Sequence, residues 1–395
     1  MMSTFGEMFD VDPKIRIVKN TEVPFIEMAD IEPWTRTVGS KRRKKFSGGS
    51  KFLDGDVLVA RITPSLENGK TSIYRAFQSD KQAPAGGSTE FIVVRGIAGK
   101  SLSKFAYYLL RTADLRSHLI ANMNGSSGRQ RVHSDALRNY VVDLPPLDEQ
   151  RRIAGLLGTL DDKIESNRAQ QHLGEQLVRA LIERIIDQFS GADFTTLDAY
   201  CTHLKDSVQP EDLMSGDKYI ALEHMPRGSV FLNSWVDAED AGISSNKTRF
   251  RQGDLLFGKL RPYFKKVGVA PVSGVCSTDI LVIRPRLREF LPLITVVASS
   301  DALINSVSAS ATGTRMPRAS WKDISKWPVP RIADETLITL LQPTNQLIAF
   351  SQALSFQNIR LAEVRDALLP ELMSGRMRVD EAGQLVSVAL DEEVC

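Results

Sequence analysis

The residues in this chain best suited to chemistry are cations in three settings. Lys41, Arg42, Arg43, Lys44 and Lys45 form an unbroken run before the turn Ser47-Gly48-Gly49-Ser50. Five consecutive cations cannot all face a core, so they are solvated or they meet phosphate. Lys259, Arg261, Lys265 and Lys266 enclose Tyr263 and Phe264, a basic cluster with aromatic rings between the charges. Arg129 and Arg131 close the stretch Asn124–Arg131, rich in Gly and Ser, and Arg315 and Arg318 stand in the similar stretch Ser310–Arg318. Arginine in a glycine-flanked loop suits bidentate contacts to guanine in the major groove. Helix capping would use the same residue type, and both readings stay open at this point.

Other chemistry fails on spacing. Gly99-Lys100-Ser101 has Val94, and Gly69-Lys70-Thr71 has Pro64, where a phosphate loop needs its first glycine. Asp143-Leu144-Pro145-Pro146-Leu147 resembles the acidic Pro-Pro-aromatic motif of adenine methyltransferases, but Leu147 replaces the ring that would stack a flipped base. His118, His133, His172, His203 and His224 are isolated, and no His/Cys spacing suits zinc. Cys201, Cys276 and Cys395 are unclustered, which fits a reducing cytoplasm and no disulfide framework. The expectation is a chain with no catalytic residues, no bound cofactor and no metal. Its N-terminus has no signal-peptide pattern, and no apolar run reaches the length of a membrane span.

The elements that position the cations repeat. Asp54-Gly55-Asp56-Val57-Leu58-Val59-Ala60-Arg61 is echoed by Gln252-Gly253-Asp254-Leu255-Leu256-Phe257-Gly258-Lys259. Ser88-Thr89-Glu90-Phe91-Ile92-Val93-Val94-Arg95 is echoed by Ser277-Thr278-Asp279-Ile280-Leu281-Val282-Ile283-Arg284. In each copy β-branched runs read as strands: Val23–Met28, Val57–Ile62, Phe91–Val94 and Tyr140–Val142 in the first. A helical stretch follows, Leu102–Asn122 or Phe290–Ser306, then the Gly/Ser/Arg loop, then a proline exit. Duplicated basic globules suit a two-part ligand, such as half-sites on duplex DNA.

Long helices follow the globules. Leu147–Phe189 places Ile153, Leu157, Leu160, Ile164, Val178, Leu181 and Ile185 at heptad spacing, with Asn167, Gln171 and Gly174 at the centre of the same seam. From about Asp334 to Leu372, Leu340, Leu347, Leu354, Leu361 and Leu368 recur every seventh residue, alternating with Thr344, Ser351, Asn358 and Arg365. Narrow apolar stripes need a partner, and antiparallel pairing would bring the two polar centres together. Charge divides along the same lines. Residues 1–147 hold 22 Lys+Arg against 15 Asp+Glu, and residues 190–333 hold 18 against 15. The helices and the tail are net acidic. Basic globules on acidic helices suit a polyanion for the former and a protein partner for the latter.

The pattern resembles the DNA specificity subunit of type I restriction–modification systems, over nearly the whole chain. The marks are Leu144-Pro145-Pro146-Leu147-Asp148-Glu149-Gln150 opening the first helix, the Thr312-Gly313-Thr314-Arg315-Met316 loop, the paired Gly-Asp strands, and the close Leu368-Leu369-Pro370-Glu371-Leu372-Met373-Ser374-Gly375. Val329-Pro330-Arg331-Ile332 departs from the pattern at the second helix. The resemblance implies an α+β fold with two mixed target recognition domains in pseudo-twofold repeat, at 1–146 and 190–333. Long helices at 147–189 and 334–375 would separate them as an antiparallel coiled coil, leaving a tail at 376–395. It implies a non-catalytic double-stranded DNA-binding subunit. Each domain would read half of a bipartite site, the helices would set the spacer, and two modification subunits carrying the S-adenosylmethionine chemistry would dock there, with restriction subunits joining them. A protein-only scaffold is the alternative, separable by salt-dependent binding to duplex DNA. A self-contained adenine methyltransferase would need motifs this chain lacks.

Overall fold

The computed structural model describes residues 2–125, 129–191, 193–311 and 316–391. The chain divides into two compact units. One comprises residues 1–162 and 363–391, and the other centres on residues 163–362.

In the first unit three of the apolar runs enter two sheets, and Val141–Val142 pairs with Ser3–Thr4. A five-stranded sheet has the order Phe9–Val11, Phe91–Gly96, Val57–Ala60, Thr71–Arg75, Thr37–Gly39. A four-stranded sheet has the order Arg43–Lys45, Glu22–Ile26, Ala85–Gly87, Ser50–Phe52. Val57–Ala60 is buried along its length, as expected of a central strand covered on both faces. Gly49 (φ +120°) allows a close backbone approach, because a Cβ there would lie 2.0 Å from the Gly87 carbonyl oxygen. The run Lys41–Lys45, read as solvated or meeting phosphate, is in part an edge strand: Lys44 pairs with Val23 and Arg43 with Pro24. Charged residues on an edge strand discourage further pairing.

The second unit repeats the first with the strands divided differently between its two main sheets. Its four-stranded sheet has the order Cys201–Leu204, Ile280–Pro285, Leu255–Gly258, Val267–Val269. Its five-stranded sheet has the order Ser207–Val208, Lys247–Phe250, Gly274–Cys276, Lys218–Ile220, Val236–Asp237. Val57 opposes Val94, and Leu255 opposes Ile283, so the two echoed sequences form equivalent antiparallel pairs. Each pair carries one buried clasp. Asp56 accepts two bonds from Arg95, at 2.7 and 2.6 Å, and Asp254 accepts two from Arg284, both at 2.7 Å.

Two expected helices are each broken. Leu102–Asn122 forms Ser103–Leu109 and Ala113–Ala121, and the second apolar stretch forms Leu291–Ser299 and Asp301–Ser310. The second break falls where the Ser300 side chain caps Leu303 N–H, a competing use that favours a new helix start. The segment after Gly375, read as a tail, forms a helix at Val379–Asp391, burying Val379, Ala382, Val386 and Ala389.

The long helices are Leu147–Gln188 and Asp334–Met373. The second continues through Pro343 and Pro370, neither of which ends it. Within the second unit, Asn167 donates to Asn358 (3.0 Å) and Gln357 (2.7 Å). Gln171 donates to the Ser351 carbonyl and the Ser355 hydroxyl, both at 2.7 Å. The polar centres therefore meet, and the helices run antiparallel. Within the first unit, Asp161 on one helix faces Arg365 on the other at 2.7 Å. The buried stripe departs from the simple heptad. Ile182 is buried in place of Leu181, and Leu337, Leu341 and Ile348 in place of Leu340 and Leu347. In the second unit the strand-rich domain covers the helices from the side, which widens the apolar face beyond a two-helix seam.

Candidate nucleic-acid interface

In each unit the Gly/Ser/Arg loop is tied to the end of a central strand by the same set of bonds. In the first, Arg61 N–H donates to the Glu90 carbonyl (3.0 Å), Val132 N–H to the Arg61 carbonyl (2.9 Å), and Thr63 N–H to the Gln130 carbonyl (3.0 Å). In the second, Lys259 N–H donates to the Asp279 carbonyl (2.8 Å), Ala319 N–H to the Lys259 carbonyl (2.9 Å), and Arg261 N–H to the Pro317 carbonyl (2.8 Å). One ion pair completes each copy. Arg131 forks onto Glu90, with bonds of 2.7 to 2.9 Å, and Arg318 reaches Asp279 at 3.2 Å. Both arginines remain about half exposed. The bond to Glu90 raises the Arg131 pKa above the usual arginine value. A carboxylate holding an exposed guanidinium fixes its plane and leaves free N–H donors, which a bidentate reader needs.

The remaining predicted cations fall into different surroundings. Arg129 is exposed beside its loop. Arg315, with Thr312, Gly313 and Thr314, lies outside the described residues. In the run of five, Arg42 pairs with Glu27 (3.0 Å) and Asp30 (2.9 Å), Arg43 with Asp80 (3.0 Å), and Lys44 with Glu27. The Lys44 bond holds the Glu27 carboxyl below its usual pKa. Among the described residues, Lys41 and Lys45 have no such partner. In the second cluster, Arg261 and Lys265 flank the tight turn Pro262–Phe264, both in the left-handed region at φ 52° and 50°. Non-glycine residues there are uncommon and mark a constrained segment. Lys265 pairs with Asp301. Lys266 turns inward and donates to the Leu222 carbonyl, and burial, with Arg227 nearby, lowers its pKa. Tyr263 is exposed and stacks edge-on against Phe264, whose ring Arg227 covers at 3.9 Å. Lys266 is thus engaged by the protein itself, and Tyr263 with Arg261 forms the outward part of the cluster.

Sequence reading missed Arg61, the positional equivalent of Lys259. The signal was present, because the echoed strands align the two. Among the described residues no group of three His, Cys, Asp or Glu side chains could hold a metal.

Comparison with known proteins agrees with this architecture. Residues 1–173 match the family model described as the type I restriction modification DNA specificity domain. The chain is 28% identical over 193 residues to the type I restriction enzyme EcoEI specificity subunit of Escherichia coli. That match covers 47% of this chain and only 32% of the relative's length. It is 23% identical over 309 residues to the MjaIX specificity subunit of Methanocaldococcus jannaschii, covering 71% of this chain and 70% of that one. The fold resembles the type I restriction–modification S subunit from M. genitalium, with a TM-score of 0.54 and 13% identity over 94% of this chain and 95% of that one.

Proposed function

We infer from the match of residues 1–173 to the type I restriction modification DNA specificity domain that this chain is a DNA-reading subunit that leaves catalysis to its partners. The observation that carries the reading is the duplicated site. Arg131 on Glu90 and Arg318 on Asp279 stand at equivalent strand ends, each beside a Gly/Ser/Arg loop. Two equivalent readers in one chain suit a bipartite, double-stranded site. Each strand-rich domain reads one half, and the antiparallel helices set the spacer.

The helices also dock two modification subunits, with restriction subunits joining that assembly. Residues 336–359 of the second helix contain no charged side chain. In the second unit Leu173, Leu177 and Phe350 stand exposed on the long helices. Depletion of charge around exposed apolar side chains is the composition of a protein interface.

The test is co-expression with a methyltransferase subunit, followed by mapping of methylated adenines. A two-part motif is expected. Replacing residues 1–146 with the corresponding domain of a relative should change one half of that motif and leave the other. Methyl transfer by the purified chain alone, or a motif that changes in both halves, would overturn the reading.

A further inference from the structure

The first unit contains a cavity of about 470 Å³ whose lining includes Lys14, Lys51 and Arg61. Arg61 lies at the end of the central strand, its backbone fixed by the bonds to Glu90 and Val132 described above. Its side-chain Nε is buried and has no hydrogen-bond partner. Among the described residues none of these three cations is in an ion pair, and Lys51 has only the Phe46 ring beneath it, at 5.6 Å. The lining holds one carboxylate, Asp12, and it is already occupied. It accepts bonds from Val93 N–H (3.0 Å), the Ser134 hydroxyl (2.5 Å) and Arg138 (3.4 Å). Ser50 is committed as well, donating to the carbonyls of Ser88 and Phe91. The cavity therefore presents three cations and no free anion. Leaving a buried donor unpaired is costly, and like charges sharing a cavity add to that cost.

The second unit answers the same problem from within. Lys51 opposes Gly86 in its sheet, and Arg249 opposes Val275 at the equivalent position. Arg249 is neutralised by Asp217, at 3.0 and 3.2 Å. Lys51 has no such acid, which leaves its charge available to an anion from outside the chain.

We propose that the cavity bounded by Lys14, Lys51 and Arg61 seats a phosphodiester group of the DNA backbone. The Arg61 guanidinium supplies a planar set of donors, and the two lysines act as point charges. A backbone phosphate carries no sequence information, so this contact sets the register of the first domain on the duplex. The assignment rests on the DNA-reading function proposed above and adds a phosphate seat which the second unit does not share in the same form.

The test uses the full chain with the single variants Arg61→Met and Lys51→Met. Binding to a duplex of unrelated sequence is measured against salt concentration. Each lost phosphate contact lowers the slope of log K on log salt by about 0.9. Arg61→Met and Lys51→Met are expected to show that loss, on unrelated and cognate duplexes alike. In a DNA-free arm, inorganic pyrophosphate is expected to raise the melting temperature of the wild-type chain and to have a smaller effect on either variant. Unchanged slopes in a wild-type chain that binds DNA would overturn the phosphate seat and leave the function standing. A pyrophosphate shift lost in the variants without any change of slope would make the cavity a free-anion site and overturn the phosphodiester assignment. If the wild-type chain bound no duplex, the functional reading would fall, and the phosphodiester assignment with it.

Discussion

Arg131 and Arg318 are held by carboxylates in the protein and still expose guanidinium donors, so under the proposed function they are the residues that would discriminate bases. Arg131→Ala and Arg318→Ala should each reduce the preference for the cognate duplex over an unrelated one by about 5- to 150-fold, ~1–3 kcal/mol. Arg129→Ala and Arg315→Ala test the same loops. Competition binding decides the matter, and an equal loss on both duplexes would make these residues phosphate contacts. The run Lys41–Lys45 makes a different prediction because Arg42, Arg43 and Lys44 already have acidic partners. The double variant Lys41→Gln/Lys45→Gln should flatten the salt slope nearly as much as neutralising all five. Buried thiols give a third residue-scale test. Burial pushes both Cys201 and Cys276 up to about 12. A folded pKa raised above the unfolded one stabilises the fold at neutral pH, and that contribution is lost as pH rises from about 9 toward 12. At pH 8 a thiol reagent should therefore label these two residues only after denaturant is added.

Among the elements, the junction of three helices in the first unit centres on Asp161. It accepts bonds from Tyr108 and Arg365, each at 2.7 Å, and Arg365 also reaches Asp366. Burial works against the Arg365 charge, but its bonds to Asp366 and Asp161 outweigh that and raise its pKa. Removing one partner of a buried pair strands the other charge, so Asp161→Ala should cost about 3–5 kcal/mol. Tyr108→Phe should cost about 1.5–3 kcal/mol, the value of a hydrogen bond to a charged group. Urea denaturation measures both, and a loss below 1 kcal/mol for Asp161→Ala would mean water replaces the pair. This junction was only half legible in the sequence. Arg365 stood out as a cation in an apolar seam, but nothing local tied it to Asp161, because that contact joins distant stretches of chain. The long helices were legible because heptad spacing is a local signal, and so were the strands Val57–Ala60 and Phe91–Gly96, which are continuous apolar runs. Pairings such as Arg131 with Glu90 became readable only through the repeat. Lys14 and Lys51 carried no sequence signal, since the cavity they line is made by sheet packing.

For the whole molecule, the proposed role of the helices is a spacer. Asn167, Gln171, Ser355 and Asn358 fix one antiparallel register, because a slip would break the bonds that the Asn167 and Gln171 amides donate across the helices. Inserting seven residues after Arg168 and seven at the facing position, after Gln357, preserves the heptad and adds ~10 Å at ~1.5 Å per residue. That equals roughly three base pairs at ~3.4 Å each. The methylated motif should keep both half-site sequences and gain a longer gap. If the bases read at either half changed while the gap did not, the helices would not set the spacing.

The first unit is assembled from residues 1–162 together with 363–391, whereas residues 163–362 of the second are continuous in sequence. Vectorial synthesis then reverses the order of completion. The segment that leaves the ribosome first lacks Arg365 and the helix Val379–Asp391 until the rest of the chain has followed. At about 5–20 residues per second, Asp161 waits for its partner on the order of ten seconds or more. Residues 163–362 of the second unit are complete before Arg365 and the helix Val379–Asp391 follow. A released fragment ending at residue 362 should therefore protect residues 163–362 from protease while leaving residues 147–162 open to cleavage.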